Sequence, residues 1–116
     1  MNYLWRVGQF AYATGSRVIC DPPVLDTDED YVVLTKFGTL KTLLEDGYVR
    51  TSAEHDYDIT GFVAFRKGNV NLIATDKADF YHSFVNATRL AKALNLRDKK
   101  HRIALFQAVL YGRFPQ

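Results

Sequence analysis

Along the chain the spacing of apolar residues changes period several times, and each change predicts an element. The run DYVVLT, Asp30 to Thr35, is short, continuous and apolar, which predicts a buried strand. GTLKTLLED follows with Leu40, Leu43 and Leu44 on one side of a short helix that Gly47 stops. DITGFVAFR and VNLIAT are two β-rich runs joined around KGN, the pattern of a hairpin. Two longer helical patterns come next. DKADFYHSFVNATRLAKALN places Phe80, Phe84, Ala87, Ala91 and Leu94 toward a core, and KKHRIALFQAVLYG does the same with Ile103, Phe106 and Leu110 before Gly112. At the other end NYLWRVGQFAYAT shows helical spacing at Leu4, Val7, Phe10 and Ala11, so a helix running into a short strand before Gly15 is expected. Pro22-Pro23 forbids regular structure around the pair, so a loop is expected there. With no repeat or linker, residues 1–116 read as a single α+β domain: a small mixed β-sheet flanked by helices, with two C-terminal helices.

Composition agrees with one folded core. Of 116 residues 47% are hydrophobic and 24% charged, with seven Tyr and eight Phe, so disorder is not expected. Cys20 is the single cysteine and cannot form an intramolecular disulfide. No secretory-type leader and no membrane-spanning run is read, which predicts a cytoplasmic protein with no membrane partner. The net charge of +2 conceals a segregation. Cys20 to Asp58 holds ten acidic residues against three basic ones, whereas Arg89 to Gln116 holds seven basic residues against one acidic. A fold that joins these halves sets an acidic centre beside a basic wall, a combination suited to Mg²⁺ and phosphates.

Inside the acidic half, Asp26, Asp28 and Asp30 fall on alternate positions at the start of a strand, hence on one face, with Glu29 turned away. Packing does not favour adjacent like charges, and a divalent cation is the economical neutraliser. Upstream, Gly15 permits a tight turn, Ser16 offers a hydroxyl and Arg17 a cationic fork, a set that can cradle a triphosphate.

Gly15-Ser16, then eleven residues, then Asp28-Glu29-Asp30 ahead of an apolar strand resembles the signature of the polymerase-β-like nucleotidyltransferase superfamily. GSRVICDPPVLDTDEDYVVL, VNLIAT and KKHRIALFQAVLYGRF are similar, more narrowly, to small phage-encoded nucleotidyltransferase proteins. The resemblance implies Mg²⁺ or Mn²⁺ on Asp28 and Asp30, and transfer of a nucleoside monophosphate from an NTP such as ATP to a hydroxyl with release of pyrophosphate. The acceptor it allows is a tRNA or other RNA, a protein or a small molecule. Gly15, Ser16, Arg17, Lys99, Lys100 and Arg102 become the expected nucleotide-binding residues. The family's third carboxylate falls on Asn71, whose amide can ligate a metal but cannot act as a base. Asp76 is the nearest substitute as a metal ligand, although its place before a helix also reads as an N-cap; Asp26 and Asp58 are others. His55, His82 and His101 form no zinc pattern, and Cys20 lacks a local base. Asn71 keeps open a second class: a catalytically inactive relative that binds a host protein or nucleic acid. A homodimer that shares an apolar face also stays open.

Overall fold

The computed structural model describes residues 10–25, 27–51 and 60–113. Phe10 and Ala11, half of the helical spacing read at the N-terminus, belong to a strand, while Leu4, Val7, Asp26, His55 and Asp58 lie outside the described residues. Within them, strands β1 (Phe10–Thr14), β2 (Glu29–Leu34), β3 (Val49–Arg50), β4 (Val63–Lys67) and β5 (Val70–Thr75) form one sheet in the order β1-β2-β5-β4-β3. Only the central β2/β5 pair is parallel; the other pairings are antiparallel, so the sheet is mixed. Helices α1 (Ser16–Ile19), α2 (Thr39–Glu45), α3 (Ala78–Ala93) and α4 (Lys99–Tyr111) complete the α+β fold expected from the sequence, with two helices at the C-terminal end.

Strand alternation divides the core in two. Val33 of β2, Val63 and Phe65 of β4, and Leu72 and Ala74 of β5 pack on one face with Leu43 of α2 and Tyr48. The intervening residues face the other way. Val32 belongs to a second cluster with Tyr81, Phe84 and Val85 of α3, joined by Ile73, Phe106 and Leu110. The expected hairpin is present: β4 turns into β5 through Gly68-Asn69, with Gly68 at φ 59°, and this tight turn fixes Lys67 opposite Val70 and Arg66 opposite Asn71.

Pro22-Pro23 lies in the expected loop, and ahead of it Ser16–Ile19 forms a helical turn closed by the amides of Val18 and Ile19 on the Gly15 carbonyl. Two features differ from the expected pattern. Leu44, Leu94 and Ile103, all expected to face inward, are 56%, 61% and 52% exposed. Ala91 is the last buried residue of α3, and the chain then turns at Asn95 with φ 48°, which leaves Leu94 past the packed part of the helix. No residue of α4 is fully buried; the helix packs on α3, where the rings of Phe106 and Phe84 meet edge-on at 4.9 Å. Finally, Lys77 and not Asp76 is the N-cap of α3, and no side chain caps that end.

A buried hydroxyl pair ties β1 to α3. Thr88 donates to the Phe84 carbonyl at 2.9 Å, so Thr14 donates to Thr88 across 2.8 Å. Thr88→Val keeps the shape and leaves the buried Thr14 hydroxyl without its acceptor; a loss of about 1–3 kcal/mol in urea unfolding is expected. The Thr14→Val/Thr88→Val double variant is expected to recover part of that loss, because neither hydroxyl is then stranded.

Candidate functional site

Two registers build a polar row across the middle of the sheet. Parallel pairing sets Asp30 beside Asn71, and the hairpin sets Asn71 beside Arg66, so the three side chains stand abreast on the α3 side. Asp28 lies two residues before Asp30 and shares its face, as the alternation predicts. The guanidinium of Arg66 grips Asp28 with two prongs, Nη1 to Oδ2 at 3.1 Å and Nη2 to Oδ1 at 3.0 Å, and Nη1 also donates to Asn71 Oδ1 at 2.7 Å. The Asn71 amide donates in turn to Asp28 Oδ2 at 3.1 Å and Asp30 Oδ1 at 3.0 Å. The repulsion foreseen between the aspartates is therefore met inside the chain, by one guanidinium and one bridging amide.

The two carboxyls are held differently. Hydrogen bonds from Arg66 push Asp28 below its ordinary pKa, and Asp28 raises that of Arg66 by the same contact. Burial pushes Asp30 upward and outweighs the bond from Asn71.

Gly15 closes the site from β1. Its φ of 81° is a left-handed value, and a Cβ there would overlap a carboxylate oxygen of Asp30. The loop from Cys20 to Asp28 is pinned at both ends. Ser16 Oγ donates to Thr27 Oγ1 at 3.2 Å and Arg17 Nη1 to the Thr27 carbonyl at 3.3 Å. From the far side Asn95 bonds the backbone of Asp21, and Arg97 donates to the Pro22 carbonyl at 2.6 Å. Arg102 reaches the buried Cys20 Sγ at 3.5 Å and the carbonyls of Leu96 and Arg97 at 3.0 and 2.8 Å.

Between Asp28, Asp30 and Asn71 on one side and α4 on the other lies a cavity of about 600 Å³ that Arg66 does not line, within the range of small-molecule sites. Gly15, Ser16, Asp28, Asp30, Asn71, Lys99 and Arg102 all line it. Acidic and basic halves of the sequence thus meet across one cavity. Ile19, Ile73, Phe84, Ile103 and Phe106 supply an apolar wall, which explains why an exposed Ile103 sits at a helical core position.

Three expected site residues stand elsewhere. Arg17 is spent on Thr27 and does not line the cavity. Lys100 is exposed on α4, and its backbone amide is capped by Asp98. Asp76 follows the C-terminal end of β5 and lines a different groove with Lys36, Phe37 and Lys41, whereas Asn71 is near the N-terminal end. Five residues of extended strand, roughly 16 Å, separate the two, so Asp76 does not join Asp28 and Asp30. His82 and His101 are exposed.

Arg66 is the residue that sequence reading missed. Its signal was the KGN turn, because a two-residue connection between Lys67 and Val70 dictates that Arg66 faces Asn71. Among the described residues no group of three or more His, Cys, Asp or Glu side chains converges on a point. Two carboxylates and one amide stand together, with the Asn71 nitrogen turned to both aspartates, its oxygen to Arg66, and the guanidinium supplying the positive charge.

No protein-family model, curated protein or solved structure matches this chain. No helix among the described residues is long and apolar enough to cross a membrane.

Two outcomes follow from the geometry. Gly15→Ala is expected to lose roughly 2 kcal/mol or more in urea unfolding, and more than Gly68→Ala, whose added Cβ meets nothing within 4 Å. Asp30→Asn removes a carboxylate whose folded pKa is raised. Its stabilising effect is expected to be absent below the ordinary aspartate pKa of about 3.9, where Asp30 is neutral folded or unfolded, and to open as pH rises through the folded value. Thermal unfolding of both proteins from pH 3 to 8 reads this directly; a gap that closes toward neutral pH contradicts the assignment.

Proposed function

We propose that the cavity is a nucleotidyltransferase-type site that takes a nucleoside triphosphate and passes its nucleoside monophosphate to a hydroxyl. The observation that carries this reading is the convergence in one cavity of the Gly15-Ser16 turn, the Asp28/Asp30 pair and the Lys99/Arg102 wall. In the reaction an acceptor oxygen bonds to the α-phosphorus, the bond to the bridging oxygen breaks, and pyrophosphate leaves with that electron pair while the hydroxyl proton passes to solvent. Asp28, Asp30 and the Asn71 amide oxygen are the groups for Mg²⁺ or Mn²⁺, which supplies charge neutralisation at the phosphates when bound.

The chain's own contribution is positioning. Ser16, held by Thr27, presents its hydroxyl at the cavity. Lys99 and Arg102 place positive charge on the wall opposite the carboxylates, where triphosphate or acceptor phosphate oxygens can be held. Phe106 and Ile103 give a base or sugar an apolar surface. Asn71 orients both aspartates through its amide and takes no proton.

A second reading is favoured by one observation: an amide stands where a third carboxylate is expected, and Arg66 already occupies Asp28. Under it the site binds a nucleotide, a nucleic acid or a host protein without turnover.

One experiment separates them. The purified protein is incubated with each α-³²P NTP, Mn²⁺ or Mg²⁺ and a cell lysate, beside Asp28→Asn/Asp30→Asn. Label in a discrete RNA or protein band from the unsubstituted protein alone is the expected result. NTP binding by equilibrium dialysis with no label under any condition would favour binding without turnover, and neither NTP binding nor label would remove the transferase reading and leave a nucleic acid or host protein as the partner.

A further inference from the structure

The Asp28–Arg66 contact does more than neutralise the row. Both Asp28 oxygens accept from the guanidinium, and Oδ2 accepts from Asn71 as well, so that oxygen has both lone pairs engaged. Asn71 Oδ1, the neutral donor for a cation, is also taken by Arg66 at 2.7 Å. One side chain thus covers two of the three groups assigned to a metal. It is not locked in place: the Arg66 and Asp28 side chains are 42% and 41% exposed, and β4 carries Arg66 beside the two-residue edge strand β3.

We propose that Arg66 competes with divalent cations for Asp28 and Asn71, so that a metal binds the site only as Arg66 lets go. The proposal rests on the metal-site reading above and adds to it a residue that sets metal affinity. The physical reason is charge: a guanidinium and a divalent ion cannot share one carboxylate at contact distance without strong repulsion. Arg66 itself does not line the cavity, and its side chain is already partly exposed, so on leaving Asp28 it turns to solvent. Bare metal then binds weakly, because each binding event must first break the Arg66 contacts.

Mn²⁺ binding without nucleotide, followed by the loss of the free-ion EPR signal, tests this independently of turnover. Arg66→Gln is expected to bind Mn²⁺ about tenfold more tightly than the unsubstituted protein, the size expected for removing a unit charge in contact with the ligand carboxylate. Arg66→Lys keeps the charge without the fork and is expected to show a smaller gain. Adding Asp28→Asn to Arg66→Gln should abolish the gain. In the unsubstituted protein, a Mg²⁺ titration followed by NMR of the Arg66 guanidinium N–H signals is expected to perturb them as the site fills, a readout that requires no variant to fold. Equal or weaker Mn²⁺ binding by Arg66→Gln, with binding still lost on Asp28→Asn/Asp30→Asn, overturns the competition while sparing the metal site. Saturation with Mg²⁺ that leaves the guanidinium signals unchanged also overturns it. No Mn²⁺ binding by any folded variant overturns the competition and the metal site together.

Discussion

A bidentate ion pair between Asp28 and Arg66, bridged by Asn71 to Asp30, is the constraint on which the site depends. Two carboxylates at the start of a central strand are unfavourable unless their charge is met nearby. Arg66 meets it from β4 and Asn71 from β5, so three strands must keep their registers for the row to close. A one-residue slip of β4 would turn Arg66 to the opposite face, the side of Val33, Leu43 and Leu72, where a guanidinium has no partner. The site and the sheet register therefore stabilise one another.

A second set of contacts holds the walls apart. The loop carrying Asp28 is fastened to α1 through Thr27, to the α3–α4 connection through Asn95 and Arg97, and to α4 through Arg102 on Cys20. Arg97 and Arg102 of the basic C-terminal segment thus serve backbone carbonyls. Since α4 packs on α3 with no fully buried residue of its own, it stands off the sheet and leaves the cavity beneath it. The weak burial of α4 and the existence of the cavity are one fact seen twice.

The candidate site was legible where local periodicity suffices. Asp28 and Asp30 share a face because strand side chains alternate, whereas Asn71 was associated with them only through the resemblance to a family pattern, and the parallel β2/β5 register sets it beside Asp30. Gly15 was read as a tight turn, and its φ of 81° against Asp30 gives that glycine a specific steric reason. Arg17, Lys100 and Asp76 were credited with site roles but stand outside the cavity lining: Arg17 serves Thr27, Lys100 is exposed on α4, and Asp76 lines another groove. Asp76 shows why: five residues are a short step in sequence and a long one along an extended strand.

By itself the sequence determined the elements: strands at the apolar runs, helices at the three-and-four spacings, a hairpin at KGN, and an α+β class, because each depends on neighbours within a few residues. Tertiary structure alone decided that β2 and β5 lie parallel and adjacent, that Arg66 serves Asp28, and that Lys99 and Arg102 face the carboxylates across a cavity. Those outcomes follow from how distant segments bury their apolar faces together, and no local period encodes which faces will meet.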